Sequence, residues 1–355
     1  MKLKILNINT KITQKYDILA EMLMLVITEK NQYQTMMLDI ESPEATRSEL
    51  WSLNLNTADY TITSLSEAYS YSTEVDNRIA GLCANTSKIF RNGATAYFAS
   101  GGASSSPTYS TSCWLYGITL TGIPLRTGTS PGGSGRGALI TQRHMLATRH
   151  FNVGTGNTVK FVNSNNTIIS AVVQSVNNIV GSVGYFGSPT PLMYEPDLVI
   201  LKFTADVDSS IIPLHINVFA DSYSSEYSQF GGLFQMRDPL ITIDQDERMI
   251  IDDFNIFGES YLSKRGRYTV LTPLDTTRIQ YYESKVDYDS GSPTIILYKN
   301  NNIIQPALFG FASFSENGGG FVTSEYIRMI KQTLDNMGDT SYKLKILYNS
   351  NIKYT

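Results

Sequence analysis

Gly137-Ala-Leu-Ile-Thr-Gln-Arg-His-Met-Leu-Ala-Thr-Arg-His-Phe151 decides the fold reading of this chain. Two short apolar runs flank a polar turn. The pattern predicts a strand over Arg136–Gln142, then a second strand from Met145 that ends at His150. A strand end puts His150 at a strand–loop border facing a cleft. Imidazole is the side chain suited to proton transfer near neutral pH. The chain has 3 histidines. His144 falls in the turn and His215 in a crossing segment, where satisfied or solvated roles are expected.

Outward from this stretch the same texture continues. Thr158–Val162, Thr167–Val176 and Leu198–Phe203 are short β-branched or apolar runs. Polar clusters at Asn152–Asn157 and Asn163–Asn166 separate them as turns. A second set follows at Gln229–Met236, Arg248–Ile256, Tyr268–Thr272, Thr294–Tyr298 and Ile303–Ser313. Asp206–Pro213 reads as the crossing between the sets. Two runs of five or six short strands predict two small antiparallel barrels or sandwiches. One helix closes the region. Thr323 or Ser324 can cap it, Tyr326, Ile327, Ile330 and Leu334 make its buried face, and Gly338 ends it. A polar tail, 339–355, holds one more strand at Tyr342–Tyr348.

The first hundred residues read differently. Gln14–Lys30 carries Tyr16, Leu19, Leu23, Val26 and Ile27 at helical spacing. Ser42-Pro43-Glu44 is a helix start, with Trp51 and Leu53 closing that short helix. Val75, Ile79, Leu82, Cys83 and Ile89 fit one helical face capped by Ser72. Lys2–Asn9 reads as a strand. No chemical constellation lies here, so residues 1–105 are expected to be a partly helical accessory or assembly region. Ser100-Gly-Gly-Ala-Ser-Ser-Ser-Pro107 is Gly/Ser-rich and marks the expected domain boundary.

Composition narrows the function classes. The chain has 355 residues, 42% hydrophobic and 17% charged, against roughly 25% charged in ordinary soluble domains. Ser, Thr, Asn, Gly and Tyr fill the gap, which favours short strands and many turns. Net charge is −4 and the pI about 5.5, with no basic face for nucleic acid. The longest apolar run, Met22–Ile27, is far short of the roughly 20 residues that span a bilayer. The N-terminus has no signal-peptide layout. The expected location is therefore cytoplasmic rather than classically secreted. The 2 cysteines, Cys83 and Cys113, are expected to be reduced and structural. No metal ligand set and no cofactor motif stand out.

Two further segments carry chemistry. Asp197 sits in Glu195-Pro196-Asp197-Leu-Val-Ile-Leu-Lys202, directly before an apolar strand. It is either a simple turn acid or the carboxylate that fixes a histidine tautomer. Asp289-Ser290-Gly291-Ser292-Pro293 lies between a polar turn and a strand. Alone it is also an ordinary turn sequence. A serine hydroxyl becomes a nucleophile only with a neighbouring base and with N–H groups aimed at the developing oxyanion.

Together these segments resemble trypsin-like serine proteases. Gly137–Phe151 resembles the family's histidine segment. Asp197-Leu-Val-Ile-Leu-Lys resembles its Asp-Ile-Ala-Leu-Leu segment, and Asp289-Ser290-Gly-Ser-Pro its Gly-Asp-Ser-Gly-Gly-Pro segment. The order is His, Asp, Ser, with Asp197 following His150 by 47 residues and Ser290 following Asp197 by 93. Phe309-Gly310-Phe311-Ala-Ser313-Phe314 resembles the strand that pairs with substrate backbone. Gly320-Phe-Val-Thr-Ser-Glu-Tyr-Ile-Arg-Met-Ile-Lys resembles the closing strand and C-terminal helix. Trp114-Leu-Tyr-Gly-Ile-Thr-Leu-Thr-Gly resembles uncharacterised trypsin-like proteins of phage and bacteria.

The resemblance covers about residues 112–338. It implies two perpendicular antiparallel six-stranded barrels of the chymotrypsin type, at about 112–205 and 214–322, with a helix at 323–337 and a C-terminal extension at 339–355. It implies a serine endopeptidase acting on peptide or protein substrates. His150 would be the base, Asp197 the orienting carboxylate and Ser290 the nucleophile. The N–H groups of Tyr288 and Ser290 would line the oxyanion hole. Tyr288 stands where the family has Gly, a residue that adopts unusual backbone angles most easily. Ser284 would lie at the base of the first specificity pocket, with Ser313, Phe314 and Ser315 on one wall. The other reading is a catalytically weak or inert protease-fold subunit of a phage virion, meeting neighbouring subunits through its N-terminal region.

Overall fold

The computed structural model describes residues 22–29, 32–39, 59–64, 71–82, 87–91, 107–126, 136–150, 152–179, 182–183, 192–193, 197–218, 238–244, 246–255, 267–285, 289–314, 318–321 and 324–348. The chain divides into two compact units, Met1–Asn56 and Thr57–Thr355. The division therefore falls before the Gly/Ser-rich boundary expected near residue 105. That segment's residues 100–106, the strand expected at Lys2–Asn9, the helix start at Ser42 and the strand at Gln229–Met236 lie outside the described residues.

The first unit holds a hairpin of β1 (Met22–Glu29) and β2 (Gln32–Asp39), paired antiparallel with Ile27 opposite Gln34. The helix expected over Gln14–Lys30 is thus a strand across its second half. Six consecutive apolar residues satisfy a helical face and a buried strand alike. The β-branched Val26-Ile27-Thr28 favours the strand.

The second unit is mainly β, built on two sheets. It opens with β3 (Tyr60–Ser64) and helix α1 (Tyr71–Ile79). Val75 and Ile79 are buried as expected, but α1 stops at Ile79, and Gly81 at φ +73° turns the chain away. Leu82 is exposed and Ile89 belongs to a separate segment. Ser72 does not act as a cap. Its hydroxyl donates to Asp238 Oδ1 at 2.7 Å, tying α1 to the rest of the unit.

The first sheet comprises β4 (Gly137–Thr141), β5 (His144–Thr148), β6 (Thr158–Val162), β7 (Ile168–Asn178) and β10 (Leu198–Phe203), in the order β4-β5-β10-β7-β6. Between β7 and β10 a small pair forms, β8 (Ser182–Val183) with β9 (Leu192–Met193). In β6 the exposed Thr158 and Lys160 alternate with the buried Val159 and Phe161. Leu139, Met145, Phe161, Val173, Leu201 and Phe203 fill the space that the sheet curls around. Among the described residues the sheet has five strands where six are expected. Residues 122–125 partly close it: Leu139 N–H donates to Gly122 O at 2.8 Å, and Leu125 N–H donates to Lys160 O at 2.8 Å.

The second sheet contains β11 (His215–Val218), β12 (Pro239–Ile243), β13 (Met249–Asn255), β14 (Arg267–Leu271), β15 (Pro293–Asn300), β16 (Ile303–Phe314), β17 (Gly318–Phe321) and β18 (Leu344–Tyr348). Six of these pair in a ring, β15-β12-β13-β14-β17-β16, and β16 pairs back onto β15. Every pairing in the ring is antiparallel. Asn301 and Asn302, both at positive φ, form the two-residue turn between β15 and β16. The sheet then continues past the ring. β11 runs parallel to β16, β18 parallel to β11, and β3 parallel to β18. These parallel additions depart from an all-antiparallel fold. They also place β3 in the same sheet as the C-terminal strand.

Helix α2 (Ser324–Asn336) buries Ile327, Ile330 and Leu334 as the spacing predicts. Gly338 at φ +78° ends it. Gly338 N–H donates to Asp335 O and Asp339 N–H to Leu334 O, a Schellman closure. That closure aims Asp339 at the first sheet. Among the described residues no helix is long and apolar enough to cross a membrane.

Candidate active site

Strand pairing brings His150 and Asp197 together. β5 and β10 are antiparallel neighbours, with Thr148 opposite Leu198. The residues just beyond that pair, Arg149 and Asp197, must therefore face each other. Arg149 N–H donates to Asp197 O at 3.1 Å. The Asp197 carboxylate then holds His150 twice. Oδ1 accepts the His150 backbone N–H at 3.1 Å, and Oδ2 lies 2.6 Å from the ring Nδ1. An ionised carboxylate only accepts hydrogen bonds, so the ring proton sits on Nδ1 and Nε2 carries the lone pair. The His150 side chain is 46% exposed and Asp197 33% exposed, so the ring is reachable from solvent. The hydrogen bond to Asp197 raises the His150 pKa above its usual 6.5, outweighing partial burial.

Ser290 sits on a tight turn. Ser292 N–H donates to Asp289 O at 2.8 Å, and Gly291 takes φ +81°, open to glycine at little cost. Two bonds fasten this turn to β16: Gly291 N–H to Ala312 O at 2.7 Å, and Ala312 N–H to Ser292 O at 2.9 Å. β16 also packs against β5, the strand that leads into His150. Both the histidine strand and the serine turn are thus referred to β16. Ser290 is half-buried, and its hydroxyl bonds to no other described side chain. Asp289 beside it is buried. The nearby Asp244 carboxyl is pushed up to about 7 by burial, with the Asp289 charge adding, against the Arg248 N–H and the Arg248 and Arg136 guanidinium groups.

The remaining expected site residues divide. Ser284 is exposed, with its hydroxyl 3.5 Å from Tyr282 Oη. Ser313 and Phe314 lie at the end of β16. Tyr288 and Ser315 lie outside the described residues. His144 and His215 take structural roles. His144 is fully buried, bonded to Thr141 Oγ1 at 2.7 Å and Asp339 Oδ2 at 3.1 Å. His215 opens β11 and bonds to Tyr298 Oη at 2.9 Å and Thr63 Oγ1 at 3.2 Å. Cys113 is free and buried, and Cys83 lies outside the described residues.

One group near Ser290 was invisible to sequence reasoning. Lys285, Asp252, Thr242 and Thr294 form a buried polar cluster within the ring. The available signal was Asp252, an acid in the apolar strand run Met249-Ile-Ile-Asp-Asp-Phe-Asn255.

Among known proteins, no family model and no curated protein matches the chain. Similar solved structures include neuropsin, a serine protease expressed in the limbic system of mouse brain, at 12% identity and a TM-score of 0.36, covering 56% of this chain and 88% of that one. A Glu endopeptidase in complex with MPD is similar at 13% identity and a TM-score of 0.36, covering 62% of this chain and 92% of that one.

Proposed function

We propose that the chain is a serine endopeptidase of the chymotrypsin type, with Ser290, His150 and Asp197 as its triad. The observation that carries this reading is the double grip of Asp197 on His150. It fixes one tautomer and leaves a solvent-reachable Nε2 free to accept a proton. A simple turn acid needs no such alignment with an imidazole ring.

In this reading His150 Nε2 takes the Ser290 Oγ proton as Oγ attacks the scissile carbonyl carbon. The C–N bond breaks as His150 returns that proton to the leaving amine. Water then attacks the acyl carbon, giving up a proton to His150, and His150 returns that proton to Ser290 Oγ as the acyl–Oγ bond breaks and the acid leaves. The N–H groups of Ser290 and Tyr288 receive the oxyanion. Ser284, Ser313, Phe314 and Ser315 line the first specificity pocket, and a pocket without an acid at its base disfavours Arg or Lys there. The six-stranded ring and the curled five-stranded sheet are the two barrels, with the site between them.

The test is labelling of the purified full chain with a fluorescent fluorophosphonate, beside Ser290→Ala and His150→Ala. Labelling of the unmodified protein alone supports the reading. Absence of labelling in folded protein overturns it in favour of an inert subunit of an assembly.

A further inference from the structure

The turn that carries Ser290 is tied on both flanks to one buried carboxylate. Five residues before Ser290, the Lys285 ammonium donates to Asp252 Oδ2. Four residues after it, Thr294 reaches the same oxygen through Thr242. Thr242 Oγ1 donates to Asp252 Oδ2 at 3.0 Å and lies 3.1 Å from Thr294 Oγ1. A hydroxyl has one proton, so Thr242 spends its own on Asp252 and accepts from Thr294. Lys285 is 4% exposed, and Asp252, Thr242 and Thr294 are 0% exposed.

These four residues lie on separate parts of the ring. Thr242 is on β12, Asp252 on β13 and Thr294 on β15, while Lys285 lies in the segment that leads into the serine turn. Strand pairing alone explains why β12 sits between β13 and β15. It does not explain why charge is buried there. Asp252 Oδ1 has no hydrogen-bond partner among the described residues, so its desolvation is only partly offset. A buried ion pair of this kind is weak evidence for stability, because apolar residues of similar volume commonly do as well. What the pair does provide is a directional tether for the chain just before Ser290.

We propose that Asp252 is a positioning residue for Ser290, acting through Lys285 on one flank and through Thr242 and Thr294 on the other. The proposal rests on the endopeptidase reading above. Gly291 and Ser292 are already bonded to Ala312, which fixes the C-terminal side of the turn to β16. Lys285 fixes the N-terminal side to β13. The intervening backbone supplies the Ser290 N–H, and its placement against a reacting carbonyl is sensitive to displacements of about 1 Å.

The test compares the full chain with the double variant Lys285→Met/Asp252→Leu, which removes both charges together, and with Thr242→Val and Thr242→Ser. Two readouts are taken: the rate of fluorophosphonate labelling, and amide hydrogen exchange of the peptide spanning 284–294. The double variant is expected to unfold cooperatively, to label at least about tenfold more slowly, and to exchange faster in that peptide. Thr242→Val is expected to slow labelling by a smaller factor, and Thr242→Ser to restore it. If the double variant does not fold, the Thr242 pair decides. Wild-type labelling rates and unchanged exchange in the variants overturn the proposal. If the unmodified chain is not labelled at all, the endopeptidase reading falls, and the exchange comparison still decides whether Asp252 holds the turn.

Discussion

His144 Nε2 lies 3.1 Å from Asp339 Oδ2, although 195 residues separate them. Lys202 Nζ reaches the same carboxylate oxygen at 2.6 Å. The contact fastens the end of α2 to β5 and β10, the two strands that present His150 and Asp197. Burial pushes the Asp339 carboxyl up, but hydrogen bonds from Lys202 and His144 outweigh it and hold the group below its usual range. Asp339→Ala leaves Lys202 and His144 without that partner. It should lower the unfolding free energy by about 2 kcal/mol. Urea unfolding of the full chain checks this, and an unchanged midpoint would count against the clasp.

Acid should weaken the fold through two buried histidines, His215 and His144. Burial first, and the Lys345 charge second, lower His215 from 6.5 to about 4. Burial also lowers His144, against the opposing pull of Asp339. The unfolded chain therefore binds protons that the folded chain refuses. The stability is fully present above about 6.5 and is lost as pH falls toward about 4, by up to about 3 kcal/mol for His215. Denaturant unfolding at a series of pH values should show this slope, and His215→Gln should flatten it.

His150 carries the opposite sign. Its folded pKa is raised, so its stabilising pair is complete below 6.5 and is lost as pH rises through the folded value. Only the neutral ring can accept the Ser290 proton. Fluorophosphonate labelling should therefore rise with pH, with a midpoint above 6.5. Asp197→Asn removes the main cause of the shift. It should slow labelling and move any residual midpoint downward. An identical midpoint in both proteins would sink this assignment.

Gly291 occupies φ +81° between Ser290 and the bond to Ala312. A side chain there is strained, at about 1–2 kcal/mol. Gly291→Ala should lower the melting temperature and slow labelling together. A melting temperature equal to the parent's would show that the turn accommodates a Cβ.

Legibility in the sequence followed how local each feature is. The strands at Thr158–Val162 and Leu198–Phe203 and the helix ending at Gly338 lie where the spacing predicts them. Each is announced by its own periodicity and its own terminator. The histidine and aspartate were legible for the same reason, as residues at the ends of two apolar strands. β12 was missed because Asp238-Pro239 reads as a break, although proline is tolerated as the first residue of a strand. The first-unit helix was misread because an unbroken apolar run has no period of its own. The β3–β18 pairing and the Asp252–Lys285 contact join segments far apart in the chain, and no local pattern encodes them.

The run of parallel strands at the end of the second sheet sets an order of events during synthesis. β3 is made early, yet its described backbone partner is β18, which emerges some 280 residues later. At roughly 5–20 residues per second, β3 waits about a quarter of a minute or more for that partner. The strands that lead into His150 and Asp197 and the turn of Ser290 are all translated within that interval. The strands of both sheets and the turn of Ser290 are therefore made before β3 receives its backbone partner, and the arrival of β18 is the step that joins β3 to β11 in the second sheet.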